Sequence, residues 1–552
     1  MAASITLPSR NSFQNRDNAR IEGQRDGSPY CHAVENEDSI SPPLEESLDA
    51  RIHRLGRERP PAFDNIYAEW TFVFSILMSQ ILTEYFISGF TLLIPTLIKE
   101  LNIPPSSSIW PASAFSVAIA STLLIFGRLG DTFGGYPIYL AGNAWLLVWS
   151  IIAGFSINPL MLNFCRAFQG LGASAVLPAG IQLMGSIYRP GPRKNLVFGL
   201  YGTCAVLGFF VGILVSGFVG QYLHWGWYFW LGAILAVVTF LTSFFSIPND
   251  YSNHLHNRLK MDYLGSVLLV SSVVLIIFSI TESAHTPHGW KTPYIPTLFV
   301  VGMAFLLLTI YVEGWVASCP ILPAAIFTAH QAMLPLILAL MLLYGTLGIF
   351  ILYGSLYFQN IMHAPPLQTA VWYVPMLIGG LIFSTGEGLI MHVISGRILL
   401  TISAAGSIVA QLILAIAPVG ASYWEWILPA TICATIGIDL SFTVLTVFVT
   451  TVLPRHHQGT GGGLLNSLLQ LGIALCLGFG DILQTYTVER SPTSDKPEET
   501  LRRSYQDTFW FGVAAAGMAL VLIVGYGRIP KAKSDLTVEE KEGLDREATR
   551  ET

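Results

Sequence analysis

Fourteen stretches of this chain are apolar and long enough to cross a bilayer, and nothing else in the sequence narrows its fold as far. About 20 predominantly apolar residues span the hydrocarbon. Inside it, lipid-exposed backbone must satisfy its own N–H and C=O groups, which favours helices. The runs are Trp70–Leu97, Ile109–Phe126, Pro137–Phe155, Pro159–Ile187, Leu196–Val219, Tyr228–Ile247, Leu264–Ile280 and Thr297–Val316, then Met333–Tyr357, Thr369–Leu389, Ile398–Ala417, Trp426–Val452, Gly462–Leu483 and Phe511–Tyr526. Charged residues make up 12% of the 552, against about 25% in soluble proteins. Mean hydropathy is +0.56. The expected class is an all-α polytopic membrane protein with about 14 transmembrane helices.

The basic residues orient these spans. An even number of helices puts both termini on one side. With the termini inside, the inner loops carry Arg128, Arg189, Arg193, Lys194, Arg258, Lys260, Arg397 and Arg455, whereas the short outer loops carry Lys99 and Lys291. That is the positive-inside asymmetry. The long loop before the last span adds Arg490, Lys496, Arg502 and Arg503 outside, interleaved with acids. Residues 1–66 are polar and rich in Ser, Pro, Glu and Arg, the composition of a disordered tail. No cleavable signal peptide is expected in them, and residues 529–552 are expected to form a second tail. Both tails are expected to be cytoplasmic. The basic residues are scattered, which excludes a nucleic-acid footprint. The six cysteines show neither a disulfide framework nor metal-ligand spacing. No cofactor is expected.

Several polar residues stand where lipid would disfavour them. Gly127-Arg-Leu-Gly-Asp131-Thr-Phe-Gly134-Gly135 is a Gly-rich turn between spans 2 and 3, so it sits at the membrane surface. Asp131 there can accept hydrogen bonds from a neighbouring helix N-terminus. Arg166 lies inside span 4, beside Gln169 and Gly170. An arginine at that depth faces a partner or a water-filled cavity, or snorkels to the near surface. Gln80, Glu84 and Ser88 are spaced four apart on one face of span 1. A carboxyl at the depth of Glu84 can load and release a proton. By helical rise Arg166 sits about 10 Å nearer the outside than Glu84, a gap its side chain partly closes. Asp439 is a second acid at mid-membrane depth, in span 12, while Glu313, Glu387 and Asp481 fall near span ends and read as interfacial. Gly199, Gly208, Gly212 and Gly217 in span 5 are small residues that let helices approach closely.

The Gly127–Gly135 turn and the Arg166-Ala-Phe-Gln169-Gly170 segment together resemble the signature pair of the major facilitator superfamily. Gly127, Asp131 and Gly134 match the first motif, while Thr132, Gly135 and Tyr136 stand where bases are usual. Span 5 resembles the antiporter motif, with Ile213 and Ser216 departing from it. The segment Gln458 to Asn466, followed by Gln470, resembles the 14-helix branch. A faint repeat, Gly388–Arg397 laid against Gly127–Tyr136, is in keeping with two related halves.

The resemblance, closest to fungal drug:proton antiporters including the aminotriazole-resistance branch, implies two six-helix bundles, 67–250 and 321–528. Two linker helices in 251–320 would be inserted between them. It implies that spans 1, 4, 9 and 12 line a cavity. Glu84, Arg166 and Asp439 would couple protons, and Gly127, Asp131 and Gly134 would control conformation. Gln80, Gln169, Tyr344, Tyr353, Asn466 and Gln470 would meet substrate, with Tyr85, Phe86, Phe350 and Phe442 as further aromatic lining. The expected function is proton-coupled efflux of small organic compounds by a monomer in the plasma membrane, or the vacuolar membrane. The alternatives are a symporter or uniporter for a nutrient or small inorganic solute, and a membrane sensor. Its partners are then a small-molecule substrate, protons and the bilayer.

Overall fold

A computed structural model describes residues 58–103, 109–189, 192–248, 261–286, 288–317, 319–390, 394–453, 455–490 and 497–527. Most of both expected tails, the inner-loop bases Arg258 and Lys260, and His392 of the faint repeat lie outside the described residues. Among the described residues, fourteen helices are long and apolar enough to cross a membrane. In order they are α1 Ile66–Ser88, α2 Trp110–Phe133, α3 Gly135–Ala153, α4 Pro159–Ile187, α5 Pro192–Tyr222, α6 Gly226–Ser246 and α7 Tyr263–Ser283. There follow α8 Tyr294–Val316, α9 Met333–Asn360, α10 Pro366–Phe383, α11 Gly396–Ile416, α12 Tyr423–Val449, α13 Thr460–Glu489 and α14 Glu498–Tyr526.

Local chemistry sets where these helices begin and end. Asn65 caps α1 by accepting the Ala68 amide at 2.8 Å, and Asn158 caps α4 through the Met161 amide at 2.8 Å. Each satisfies an amide that a helix N-terminus leaves open. Gly134 ends α2 at φ 94°, a left-handed conformation that a side chain would strain, and α3 starts at the next residue. The expected single run Trp70–Leu97 is instead broken at Gly89, and the chain resumes as a separate helix, Phe90–Glu100, with Pro95 inside it. The last helix begins near Glu498, so Arg502 and Arg503 belong to α14 and not to a long loop.

The helix contacts repeat. Among α1–α6, α2 and α3 pack on α4, α1 packs on α5 and α6, and α3 packs on α6. Adding eight to each number gives the principal contacts among α9–α14: α10 and α11 on α12, α9 on α13 and α14, α11 on α14. The contacts between the groups, α2 with α13 and α5 with α10, exchange under the same operation. Two six-helix bundles related by a pseudo-two-fold result, the plan of many secondary transporters. α7 and α8 stand outside it, packed on each other, with α7 also reaching α2 and α13. Burial ranks the helices: α9 (72%), α1 and α4 (61% each) and α12 (56%) are the most enclosed, and α8 and α10 the least at 22%.

Glycine sets the distance between α1 and α5. A Cβ added at Gly208 would lie 2.6 Å from the Ile81 Cα, and one at Gly212 would lie 2.6 Å from the Tyr85 carbonyl oxygen. At Gly217 it would meet Ala370 of α10 at 2.7 Å. Gly199 faces open space and takes no part in this packing. Gly208→Val is therefore expected to lower the stability of the purified protein by about 1–3 kcal/mol through overpacking. Gly199→Ala serves as the neutral control, and thermal unfolding of both variants in one detergent checks the difference.

Candidate functional site

Arg166 is sealed in protein. Its side chain is 1% exposed, so it does not snorkel. Nε donates to the Pro111 carbonyl at 3.1 Å, Nη2 to the Phe86 carbonyl at 2.9 Å, and Nη1 to Gln169 Oε1 at 3.3 Å. The guanidinium lies 4.4 Å from the ring centroids of both Phe90 and Phe115. Carbonyl oxygens and aromatic faces replace water around the charge. Arg166 of α4 thereby fastens α2 through Pro111 and α1 through Phe86, just ahead of the Gly89 break. Among the described residues no acid is its hydrogen-bond partner, and Glu84 is bonded to Gln80.

Gln169 is also fully buried, holding Arg166 on one side and donating to Ser150 Oγ at 2.9 Å on the other. Its amide is thus committed to Arg166 of its own helix and to Ser150 of α3, and presents no surface to a cavity.

Glu84 Oε1 accepts from Gln80 Nε2 at 3.1 Å, the one-face arrangement that the i, i+4 spacing dictates. Ser88 turns to backbone, bonding the Glu84 carbonyl at 2.9 Å and, across the helix interface, the Phe209 carbonyl at 2.6 Å. Tyr201 of α5 lies within electrostatic reach of the Glu84 carboxylate. Farther along α5, Val206 meets Gly380 of α10, where an added Cβ would sit 2.7 Å from Val206 Cγ1 and 3.4 Å from Asp439 Oδ2. The middle of α5 is therefore flanked by Glu84 of one bundle and, through Gly380, by Asp439 of the other. Asp439 Oδ2 is buried with no hydrogen-bond partner. Tyr201, Val206 and Gly380 were not picked out from the sequence. A tyrosine and a valine in an apolar run, and one glycine among 50, carry no signal by themselves.

On α13, Asn466 bonds back to the Gly462 carbonyl at 3.0 Å, and half-buried Gln470 keeps Oε1 without a partner. Tyr344 stands edge-on to Phe442, their ring centroids 6.4 Å apart, and both are partly exposed. The other expected lining aromatics are core residues. Tyr353 is fully buried 6.3 Å from Tyr505, Tyr85 is stacked at 4.6 Å on Tyr228, Phe86 packs on Phe229, and Phe350 faces Tyr373. Glu313 and Asp481, read as interfacial, are buried at 7% and 3% exposure. The Glu387 side chain lies outside the described residues. The segment expected as a surface turn is instead the C-terminal part of α2 up to Phe133: a Cβ added at Gly127 would meet Pro178 Cβ at 3.5 Å, and Asp131 Oδ2 lies 4.0 Å from Arg128 Nη1.

At the end that carries the α1–α2 connection, the bundles are joined. Gln359 of α9 donates to the Leu92 carbonyl at 3.3 Å, and the Leu367 amide of α10 donates to Gln221 of α5 at 3.2 Å. Along the other seam Ser467 of α13 donates to the Ala120 carbonyl of α2 at 2.5 Å. A void between Thr346, Phe350, Ser407, Gln411 and Ala434 lies inside the second bundle; at about 10 Å³ it fits one water and no solute.

The family model described as Major Facilitator Superfamily matches residues 76–476, most of the membrane domain. The chain belongs to the major facilitator superfamily. A low affinity ammonium transporter of Saccharomyces cerevisiae is 30% identical over 78% of this chain and 83% of its own length. The aminotriazole resistance protein of the same yeast is 30% identical over 84% and 85%. Other relatives bear the names efflux pump or multidrug transporter. Among solved structures, the peptide transporter POT shares the fold at a TM-score of 0.60, with 14% identity over 83% of this chain and 95% of that one. This major facilitator superfamily chain is an integral multi-pass membrane transporter, not an enzyme.

Proposed function

We propose that the protein exports small organic compounds in exchange for protons. The observation that carries this reading is a pair of membrane-depth acids, on α1 and α12 of opposite bundles, with no cation paired to either among the described residues. Glu84 is bonded to an amide side chain, and Asp439 Oδ2 has no hydrogen-bond partner. An ionised carboxylate in a membrane interior is costly unless a proton or a cation neutralises it. Proton and cationic substrate then compete for the same charge, which couples their movements in opposite directions. Gln80, Tyr344, Asn466 and Gln470 supply polar and aromatic contacts to the substrate.

Arg166 serves here as a positioning residue. It holds the Phe86 carbonyl, two residues beyond Glu84, and so fixes the height and rotation of α1. Gly127 and Asp131, in the C-terminal part of α2, and Gly134, which ends it, form the junction on which the first bundle pivots against the second during alternating access. Both termini face the cytoplasm on the positive-inside count, the protein acts as a monomer, and the plasma membrane is its site.

Proteoliposomes test this reading. An imposed pH gradient is expected to drive a fluorescent organic cation against the proton flux, and Asp439→Asn is expected to cut that flux at least about tenfold, as loss of an essential proton carrier does. Equal flux with and without the gradient would contradict the coupling.

The ammonium-transporter relative favours a second reading, uptake of a small cation by the same acids. The departures at Ile213 and Ser216 from the antiporter pattern point the same way. Under it, cells expressing the protein accumulate more methylammonium and export no organic cation.

A further inference from the structure

We propose, resting on the reading of Glu84 and Asp439 as the transport site, that this site recognises its substrate through N–H groups. It takes protonated primary and secondary amines or guanidines and rejects quaternary ammonium ions. Glu84 sets the orientation of Gln80. An ionised carboxylate only accepts hydrogen bonds, and Glu84 Oε1 accepts from Gln80 Nε2 at 3.1 Å, so the amide turns its oxygen away. Gln80 is 6% exposed, and its Oε1 is buried with no hydrogen-bond partner among the described residues. Asp439 Oδ2 is likewise buried and unpaired. Helix packing places these two residues at one depth. A Cβ added at Gly208 of α5 would lie 2.6 Å from the Cα of Ile81, the residue after Gln80. Val206, two residues earlier on α5, meets Gly380 beside Asp439 Oδ2. Two residues are about 3 Å of helical rise. Gln80 and Asp439, from opposite bundles, therefore flank α5 at nearly the same height.

α13 repeats the pattern. Asn466 commits its Nδ2 to the Gly462 carbonyl at 3.0 Å, and Gln470 Oε1 is buried without a partner among the described residues. In Gln80, Asp439 and Gln470 alike, the buried atom left unpaired is an oxygen. A buried acceptor without a donor is costly, and a ligand N–H removes that cost, whereas an N-methyl group leaves it in place. For the same reason a site built on hydrogen bonds rejects an analogue that lacks them far more strongly than an apolar pocket rejects an added methyl. Charge does not discriminate here, since a protonated amine and its quaternary analogue carry the same one. The apolar part of the substrate also has a place. Phe442 stands one turn from Asp439 and faces Tyr344 edge-on, with centroids 6.4 Å apart and both rings partly exposed. That turn is about 4.5 Å of rise, which an aromatic ring two methylenes from its ammonium group spans.

Phenethylammonium and its N-methyl, N,N-dimethyl and N,N,N-trimethyl derivatives test this, because they share ring, chain and charge and differ in N–H number. Titration calorimetry of the purified full chain reads their Kd. Affinity is expected to follow N–H number, with the primary ion bound at least about tenfold more tightly than the quaternary one, the effect of one charge-assisted hydrogen bond. Equal Kd values, tighter binding of the quaternary ion as a purely aromatic site gives, or no binding of any member would overturn the proposal. Gln80→Leu is expected to reduce the primary-over-quaternary preference at least about threefold, the quaternary Kd serving as internal control. If that variant does not fold, Gln470→Leu is expected to do the same, and a preference that the folded variant keeps in full overturns the proposal. Proteoliposomes under a pH gradient separate this from the export reading. Gradient-driven flux without an N–H preference in binding removes the amine class and leaves proton-coupled export. The preference without gradient-driven flux supports the amine site and removes export.

Discussion

Glu84→Gln is expected to leave a folded, monodisperse protein that has lost gradient-driven flux, a fall of at least about a hundredfold. The substitution preserves shape and the 3.1 Å hydrogen bond, which Gln80 Nε2 donates equally well to an amide oxygen as to a carboxyl oxygen. What disappears is the exchangeable proton. Because the glutamine needs no counter-ion in the membrane, stability is expected to hold or rise slightly. The informative comparison is between driven flux and substrate counterflow in the same proteoliposomes. Counterflow requires the conformational cycle but no proton release, so it survives if Glu84 carries the proton. Loss of both would assign Glu84 to substrate binding or to folding.

Arg166→Ala is expected to act in the opposite way, unfolding the protein more than it uncouples it. Removal of the side chain strips hydrogen bonds from the Pro111 and Phe86 carbonyls and from Gln169, all buried. Each polar group left unpaired costs about 1–3 kcal/mol. The rings of Phe90 and Phe115 lose their filler as well. A net loss of about 3–5 kcal/mol follows, enough to drop thermal stability by many degrees. Arg166→Lys recovers little, because a point ammonium cannot reproduce the fork that reaches three acceptors at once. Thermal unfolding in detergent reads this directly. A variant as stable as wild type, with flux uncoupled from the pH gradient, would instead make Arg166 part of the proton path.

The contrast between these two residues marks how far the sequence could be read. The fourteen helices were legible because lipid imposes one length and one satisfied backbone, and no soluble context competes with that signal. Gly89 was not legible as a break. It lies inside an unbroken apolar run, and what holds the break is tertiary: the Arg166 bond to Phe86 and the Tyr85–Tyr228 stack. Arg166 stood out as a charge in lipid, but carbonyl oxygens are its partners, and these have no residue letter. That Tyr85, Phe86, Phe350 and Tyr353 pack in the core was not legible for a related reason: an aromatic in a membrane helix fits core, lipid or cavity equally well, and only tertiary packing such as that of Tyr353 on Tyr505 decides among them. Asp481 looked interfacial because the α13 run was ended too early, at Leu483, whereas the helix continues to Glu489.

The most direct measurement is the accumulation of a labelled panel of organic cations in cells expressing the protein, with and without a protonophore, beside cells expressing Glu84→Gln or Asp439→Asn. Lower accumulation of at least one compound, restored by the protonophore and by at least one of the two substitutions, is the predicted result. Accumulation that rises on expression, or that falls equally in the presence of the protonophore, would contradict proton-driven export.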